Sequence, residues 1–212
     1  MKKVLLTLTA IAGLTFASKA QDITGFAPGN IIVEGNLGFN TSDNKNTEVK
    51  TTGFSFNPQV GYFLTNKFAL GLYANVGSEN TDKYAEGVDT QNKSSNFGIG
   101  AFGRYYFLEL GSRFKTYAEL GAGYNQENDK VVTPAGTTED PKVSGFGING
   151  SLGANFFLTD KIAINYKFAN VIGFNSSKID VDGAKATSNF SLNVNKFNNF
   201  FTSGQFGLTF KF

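Results

Sequence analysis

The last eight residues of the chain alternate without a break between apolar residues and small or polar ones. The segment 203–212 reads S-G-Q-F-G-L-T-F-K-F. One face of the predicted strand carries four large apolar residues: Phe206, Leu208, Phe210 and Phe212. In water, such a strand would expose these side chains together with an unpaired edge. Both problems disappear in a closed barrel whose outer face contacts lipid.

The first twenty residues have the character of a cleaved export signal. A basic start precedes a mostly apolar run, Val4 to Phe16, that is too short to span a membrane as a helix. Small residues at Ser18 and Ala20 suit a cleavage site. We therefore predict a signal peptide over 1–20, a short lead-in over 21–30 and a barrel domain over 31–212.

The composition favours membrane strands over membrane helices. Nothing after the signal approaches 18 consecutive apolar residues, which excludes a helical membrane protein. The chain nevertheless has 23 Phe and 8 Tyr at a mean hydropathy of −0.16. Many aromatic residues without a long apolar run are typical of alternating strands whose outer face contacts lipid.

Seven further alternating segments precede the terminal strand. The eight predicted strands cover about 31–40, 52–63, 68–77, 95–107, 114–125, 144–157, 162–174 and 203–212. Each segment reaches the roughly 9–11 residues that a tilted membrane strand needs. Pro58 cannot donate to a ladder and predicts a bulge in the second strand. The prediction is an all-β, eight-stranded antiparallel up-and-down transmembrane β-barrel.

The connections between these strands alternate between short and long. Residues 63–67 read F-L-T-N-K and residues 157–161 read F-L-T-D-K, so the chain nearly repeats one short turn. The long connections are polar: 41–51, 78–94, 126–143 and 175–202. In barrels of this class short turns face the periplasm and long loops lie outside the cell. We therefore predict short periplasmic turns and long, mobile extracellular loops.

The last long connection has two interpretations. Asp182-Gly183 is a tight-turn signal, and Phe190, Leu192 and Val194 alternate again. The first interpretation extends a hairpin above the membrane and keeps eight strands, and the second adds two strands to the barrel. We favour eight, because the short turns already set the direction of the last strand.

Five charged residues fall on the inward face of the predicted strands: Glu34, Arg104, Glu119, Lys167 and Lys211. Arg104 and Glu119 belong to neighbouring strands, and we expect Lys211 beside Glu34 where the barrel closes. Buried charges are costly unless they are paired. An eight-stranded barrel is just wide enough for side chains to fill. We therefore predict a structural salt-bridge network here, and an ion path is the alternative.

The residue types present do not indicate catalysis, cofactor binding or nucleic-acid binding. The chain has no histidine and no cysteine, which excludes Ser–His and cysteine chemistry. Loss of Lys2, Lys3 and Lys19 with the signal leaves 16 of the 19 basic residues against 17 acidic ones. A near-neutral chain lacks the basic patch that nucleic acid requires. We predict no enzyme activity, no cofactor and no metal.

Taken together, the export signal, the eight alternating segments and the terminal Phe212 resemble the porin-family, OmpA-like and OmpX-like transmembrane β-barrels of Gram-negative bacteria. The resemblance implies an outer-membrane location with lipid around the barrel. It also implies that the barrel-assembly machinery reads the terminal strand through Phe206, Leu208, Phe210 and Phe212.

Three functions follow from this architecture. The first is a structural or surface-interaction role, in which long polar loops on a rigid scaffold recognise an extracellular ligand. The second is a narrow porin, or a transporter of small and even hydrophobic molecules. The third is a soluble lipid binder of lipocalin type, which would turn its apolar residues inward.

Overall fold

A computed structural model of the chain describes residues 25–85, 88–168, 171–192 and 205–212. The predicted signal peptide lies outside the described residues. The regular structure within them consists of strands: β1 (Ile31–Asn44), β2 (Val49–Phe63), β3 (Phe68–Ala85), β4 (Val88–Leu110), β5 (Phe114–Thr133), β6 (Gly136–Glu139), β7 (Val143–Phe157), β8 (Ile162–Lys167), β9 (Ile172–Ile179), β10 (Thr187–Leu192) and β11 (Gln205–Lys211). Among these residues no helix is long and apolar enough to cross a membrane.

The strand pairings run in a closed circuit. Strands β1 to β5 pair consecutively, β5 pairs with β7, and β7 pairs with β8. Strand β11 then pairs with β8 on one edge and with β1 on the other. All of these pairings are antiparallel. The predicted pairing of the terminal strand with the first one is present, from Ile32 opposite Lys211 to Leu37 opposite Phe206.

Eleven strands occupy eight positions in this circuit. Strands β6 and β7 pair in turn with the same edge of β5, and β8 and β9 pair in turn with β7. Hydrogen bonds from Phe168 N and Val171 N to β7 carry the ladder across the break between β8 and β9. Strands β10 and β11 likewise pair with β9 and β8. The eight-position barrel is therefore confirmed, and β9 and β10 form the hairpin of the first interpretation.

The repeated short turn has the same structure at both places. Thr65 Oγ1 accepts hydrogen bonds from the N–H groups of Lys67 and Phe68, at 3.2 and 3.0 Å. Thr159 Oγ1 accepts from Lys161 and Ile162 at the same two distances. A threonine hydroxyl that caps the backbone two and three residues later stabilises such a turn. We call this end of the barrel the short-turn end and the opposite one the hairpin end.

The long connections are present at the predicted places, but most of their described residues form paired strands instead of loops. Strands β3 and β4 stay paired out to Ala85 opposite Val88, and β1 and β2 out to Asn44 opposite Val49. These segments look like loops in the sequence because water bathes both of their faces, so no apolar face marks them as strands. The ladder itself needs only backbone groups.

The β5–β6 hairpin belongs to the same extension beyond the membrane. Lys130 Nζ lies 2.5 Å from the carboxylate of Glu139, across the pair of strands. This hydrogen bond lowers the pKa of the Glu139 carboxyl. Opposite charges on facing positions are the cross-strand pairs that stabilise an exposed hairpin.

The bulge predicted at Pro58 is also absent. The register between β2 and β3 is the same on both sides of it, from Phe56 opposite Val76 to Gln59 opposite Tyr73. The ladder is interrupted only between these pairs, where proline has no N–H to donate. The register shift lies instead on β4, where Phe107 is the extra residue between the Tyr106 and Leu108 pairings with β5.

Side chains divide between the two faces of the barrel as alternation requires. The outer face carries an apolar belt that includes Val33, Leu37, Phe39, Phe54, Val60, Leu72, Ile99, Tyr105, Leu120, Phe146, Ile164 and Phe174. The terminal strand contributes Phe206, Leu208, Phe210 and Phe212 to it. Inward positions are buried and largely polar, including Glu34, Asn36, Arg104, Asn155 and Thr209. This arrangement is inside-out for a soluble lipid binder of lipocalin type and suits a barrel in lipid.

A charge on the apolar belt should cost stability according to its depth. Leu72 lies near the middle of the belt on β3, and Phe39 lies at its hairpin-end margin on β1, with similar exposures of 69% and 72%. We expect Leu72→Arg to destabilise the barrel by about 2–4 kcal/mol and Phe39→Arg by about 0–1 kcal/mol. Urea titration of refolding into lipid vesicles measures both, and equal costs would contradict the placement of the belt.

Candidate functional site: the barrel interior

The barrel interior has three layers between the short-turn end and the hairpin end. We call them the aromatic plug, the charged cluster and the polar cavity. The plug consists of Phe26, Phe63, Tyr106, Tyr117 and Phe157. The charged cluster consists of Glu34, Arg104, Glu119 and Lys167.

The aromatic plug is centred on a residue from the lead-in segment. The Phe26 ring stacks on Phe63 with centroids 4.1 Å apart, and lies 4.6 Å from Tyr106 and 5.3 Å from Phe157. The other four aromatic residues of the plug are inaccessible to solvent, and Phe26 is nearly so. The lead-in therefore turns into the short-turn end of the barrel, where apolar contact holds it.

Lys211 holds this lead-in in place. Its Nζ donates to the carbonyl oxygen of Gly25 at 2.7 Å and to Oδ1 of Asp160 at 2.8 Å. Gly25 has a φ of +76°, a left-handed conformation that favours glycine. The expected pairing of Lys211 with Glu34 is absent, because the register places Lys211 opposite Ile32 and Glu34 opposite Thr209.

Arg104 is the centre of the charged cluster. Its Nη1 and Nη2 each donate to one carboxylate oxygen of Glu34 at 2.9 Å, and its Nε donates to Glu119 at 2.7 Å. Nη2 also donates to Gln59 Oε1 at 2.9 Å, and the guanidinium lies 4.0 Å from the centroid of the Tyr117 ring. The Arg104 and Glu34 side chains are fully buried. This bidentate geometry is the arrangement in which a buried arginine can be fully satisfied.

Hydrogen bonds join the charged cluster to the strands around it. Lys167 Nζ contacts the second oxygen of Glu119, so two cations face two carboxylates. Thr209 donates to Glu34 at 2.8 Å, and Asn155 donates to Thr209 at the same distance. Tyr106 in turn donates to Asn155 at 3.1 Å. These bonds connect β1, β4, β5, β7, β8 and β11, so the cluster fastens most of the circuit.

The polar cavity lies between the charged cluster and the hairpin end, and its volume is about 700 Å³. Glu119, Lys167 and Gln59 form its floor. Its walls carry one asparagine from each of six strands: Asn57, Asn75, Asn96, Asn125, Asn149 and Asn175. Glycine at position 98 leaves room for two of these asparagines, since a Cβ there would lie within 2.6 Å of the Asn75 and Asn125 side chains.

Four of the five inward charges predicted from the sequence meet in the charged cluster, and Lys211 lies apart at the short-turn end. Sequence reasoning missed the plug and the cavity. Phe26 lies in a segment without periodicity, so no pattern marked it. The inward asparagines could have been found, because they recur at inward positions on successive strands.

The interior offers little for catalysis or metal binding. Each carboxylate of the charged cluster faces a cation, so neither is free to act as a base. Among the described residues no three Asp, Glu, His or Cys side chains are grouped as a metal site would require.

These features define a small antiparallel β-barrel with a lipid-facing belt and an interior that side chains fill at the short-turn end. The chain belongs to the family of outer membrane protein beta-barrel domains, whose family model matches residues 6–210. It is accordingly an outer-membrane protein. In outer-membrane barrels the short turns face the periplasm and the long hairpins face the outside of the cell.

The solved structures that match this chain are distant from it in sequence, and the first of them is similar in fold. The outer membrane protein OprG of Pseudomonas aeruginosa is 15% identical with a TM-score of 0.52, over 90% of this chain and 99% of that one. A major outer membrane protein of Thermus thermophilus is 14% identical with a TM-score of 0.47, over 87% and 99%. The N-terminal β-barrel domain of Pseudomonas aeruginosa OprF is 13% identical with a TM-score of 0.41, over 88% and 100%. No curated protein matches the sequence significantly.

Removing Arg104 alone should destabilise the barrel strongly. Arg104→Leu leaves Glu34 and Glu119 buried without their main partner, and we expect a loss of about 3–5 kcal/mol. The quadruple variant Glu34→Leu/Arg104→Leu/Glu119→Leu/Lys167→Leu removes the charges together and should recover most of that loss. The urea midpoint of folding in detergent measures both variants. A quadruple variant no more stable than the single one would contradict this account of the cluster.

Proposed function

We propose that this chain is a structural and surface-interaction protein of the outer membrane rather than an open channel or an enzyme. The observation that carries the proposal is the filled periplasmic half of the barrel. The aromatic plug and the charged cluster occupy its cross-section, and all of their side chains are buried except that of Lys167, which is partly exposed to the cavity. A sealed barrel gives the membrane a rigid anchor and offers the outside a fixed surface.

The hairpins supply that surface. Strand β4 has 23 residues and β3 has 18, whereas crossing the membrane takes roughly 9–11. The surplus continues as paired strands, so the hairpins stand above the membrane in a defined arrangement. A recognition surface built on paired strands loses less conformational entropy on binding than one built on flexible loops. We infer that an extracellular partner contacts these hairpins.

The porin or transporter alternative draws support from the polar cavity, which reaches about halfway down the barrel. Passage to the periplasm would require the plug and the charged cluster to separate. That step breaks a bidentate ion pair together with the aromatic contacts around Phe26. The free-energy cost of breaking these contacts favours a sealed barrel over an open channel.

Planar-bilayer recording tests the sealed barrel. We expect the purified protein to show no discrete conductance steps in 1 M salt. The triple variant Phe26→Ala/Tyr106→Ala/Tyr117→Ala removes three rings of the plug and is the comparison that should begin to leak. Heat-modifiable gel mobility establishes that both proteins are folded. Regular steps from the unaltered protein would contradict the proposal and favour the porin.

We also propose that the outer face of β11, with Phe206, Leu208, Phe210 and Phe212, is the signal that the barrel-assembly machinery reads. Phe212 is 68% exposed at the end of the strand, so its side chain contributes little packing. We expect Phe212→Ser to slow assembly in cells severalfold while refolding in detergent stays unchanged. Leu37→Ser, at a similarly exposed position on β1, is the control. Equal assembly rates for both variants in pulse-chase experiments would contradict this role.

A further inference from the structure

The polar cavity has the properties of a small-molecule site, and its chemistry restricts the ligand. We propose that it binds an uncharged, hydroxyl-rich small molecule, of the size of a monosaccharide or disaccharide, that enters from outside the cell. The volume of about 700 Å³ is within the range of ligand pockets. Its floor is closed by the charged cluster, so its opening is toward the hairpin end.

Charge argues against an ionic ligand. The lining contains three charged residues: Glu119, Lys167 and Glu127. Glu119 and Lys167 neutralise each other on the floor, and Glu119 is also held by Arg104. Glu127 accepts a hydrogen bond from Ser94 at 3.1 Å. The cavity therefore presents no cationic cluster for an anion and no unpaired carboxylate pair for a cation.

The walls argue against an apolar ligand. Most lining side chains are amides or hydroxyls, and an oily molecule would strip them of water without returning hydrogen bonds. An amide both donates and accepts, as a hydroxyl does, so a ring of asparagines matches a molecule with hydroxyls on several sides. One donor already has no partner within the described residues, the buried Nδ2 of Asn57.

Two other asparagines of the walls, Asn75 and Asn125, are hydrogen-bonded to each other. Asn75 Nδ2 donates to Asn125 Oδ1 at 3.3 Å across the gap that Gly98 leaves. Tyr73 extends over Gly100 and Gly123, where a Cβ would lie 2.5 Å from its hydroxyl. An aromatic ring beside fixed amides suits a sugar, which has C–H faces as well as hydroxyl edges. Such preorganisation lowers the cost of binding.

Saturation-transfer difference NMR on the full-length protein tests this site. The detergent must be free of sugar, so dodecylphosphocholine is used in place of a maltoside. The probes are trehalose and N-acetylglucosamine, with glutamate as the anionic probe, putrescine as the cationic one and hexanol as the apolar one. We expect saturable transfer to at least one sugar and none to the other three.

Variants then locate the binding. Asn75→Leu/Asn125→Leu removes one linked pair of amides, and Ser177→Phe fills the cavity from β9 without disturbing that pair. We expect each to weaken sugar binding at least tenfold. Asn80→Leu, on the outer face of β3 beyond the belt, should leave it unchanged.

Heat-modifiable mobility shows which variants are folded, and Ser177→Phe keeps the test decisive if the asparagine variant is not. Three results would overturn the proposal: no transfer to either sugar, undiminished transfer in Ser177→Phe, or stronger binding of a charged or apolar probe. Conductance plays no part in this test, so its outcome is independent of whether the barrel is sealed.

Discussion

The fold depends on one buried guanidinium. Arg104 on β4 holds Glu34 of β1 and Glu119 of β5, and through Thr209 and Asn155 it reaches β11 and β7. Most large apolar side chains of this barrel face outward, and the aromatic plug at the short-turn end is its apolar core. Interior hydrogen bonds and ion pairs must therefore specify how the strands meet. An unpaired charge in the interior would strongly destabilise the barrel, so the cluster is stabilising only when all of its members are present.

The size of the inward side chains decides where this barrel is filled and where it is hollow. Near the short-turn end the inward positions carry Arg, Tyr and Phe, and the few glycines there receive neighbouring rings, as Gly153 receives Tyr117. Toward the hairpin end the inward positions carry asparagine, serine and glycine. An eight-stranded barrel has a nearly constant cross-section. The change in side-chain volume alone therefore turns one tube into a plug with a cavity above it.

Much of this architecture follows from spacing in the sequence, and the exceptions have physical causes. Alternation places the faces of each strand, and the repeated turn at Thr65 and Thr159 places the short connections, because both depend on local backbone geometry. The pairing of strands in the hairpins could not be predicted, because a strand with water on both faces has no apolar periodicity. The partner of Lys211 could not be deduced, since it depends on register and on a turn residue, Asp160. The place of Phe26 in the plug could not be predicted for a similar reason, because it is set by contacts with distant strands.

The two halves of the interior together explain why a sealed barrel would keep a cavity at all. If the barrel served only as an anchor, filling the upper half with larger side chains would add packing and stability. The chain instead places asparagine, serine and glycine at inward positions of this half, which leaves a cavity lined by amides. Side chains that reduce stability in a fixed arrangement are characteristic of binding sites. A floor that is neutral because its charges are paired leaves hydrogen bonding as the main means of recognition there. These features support the proposal that the cavity is a binding site recessed within the scaffold that carries the hairpins.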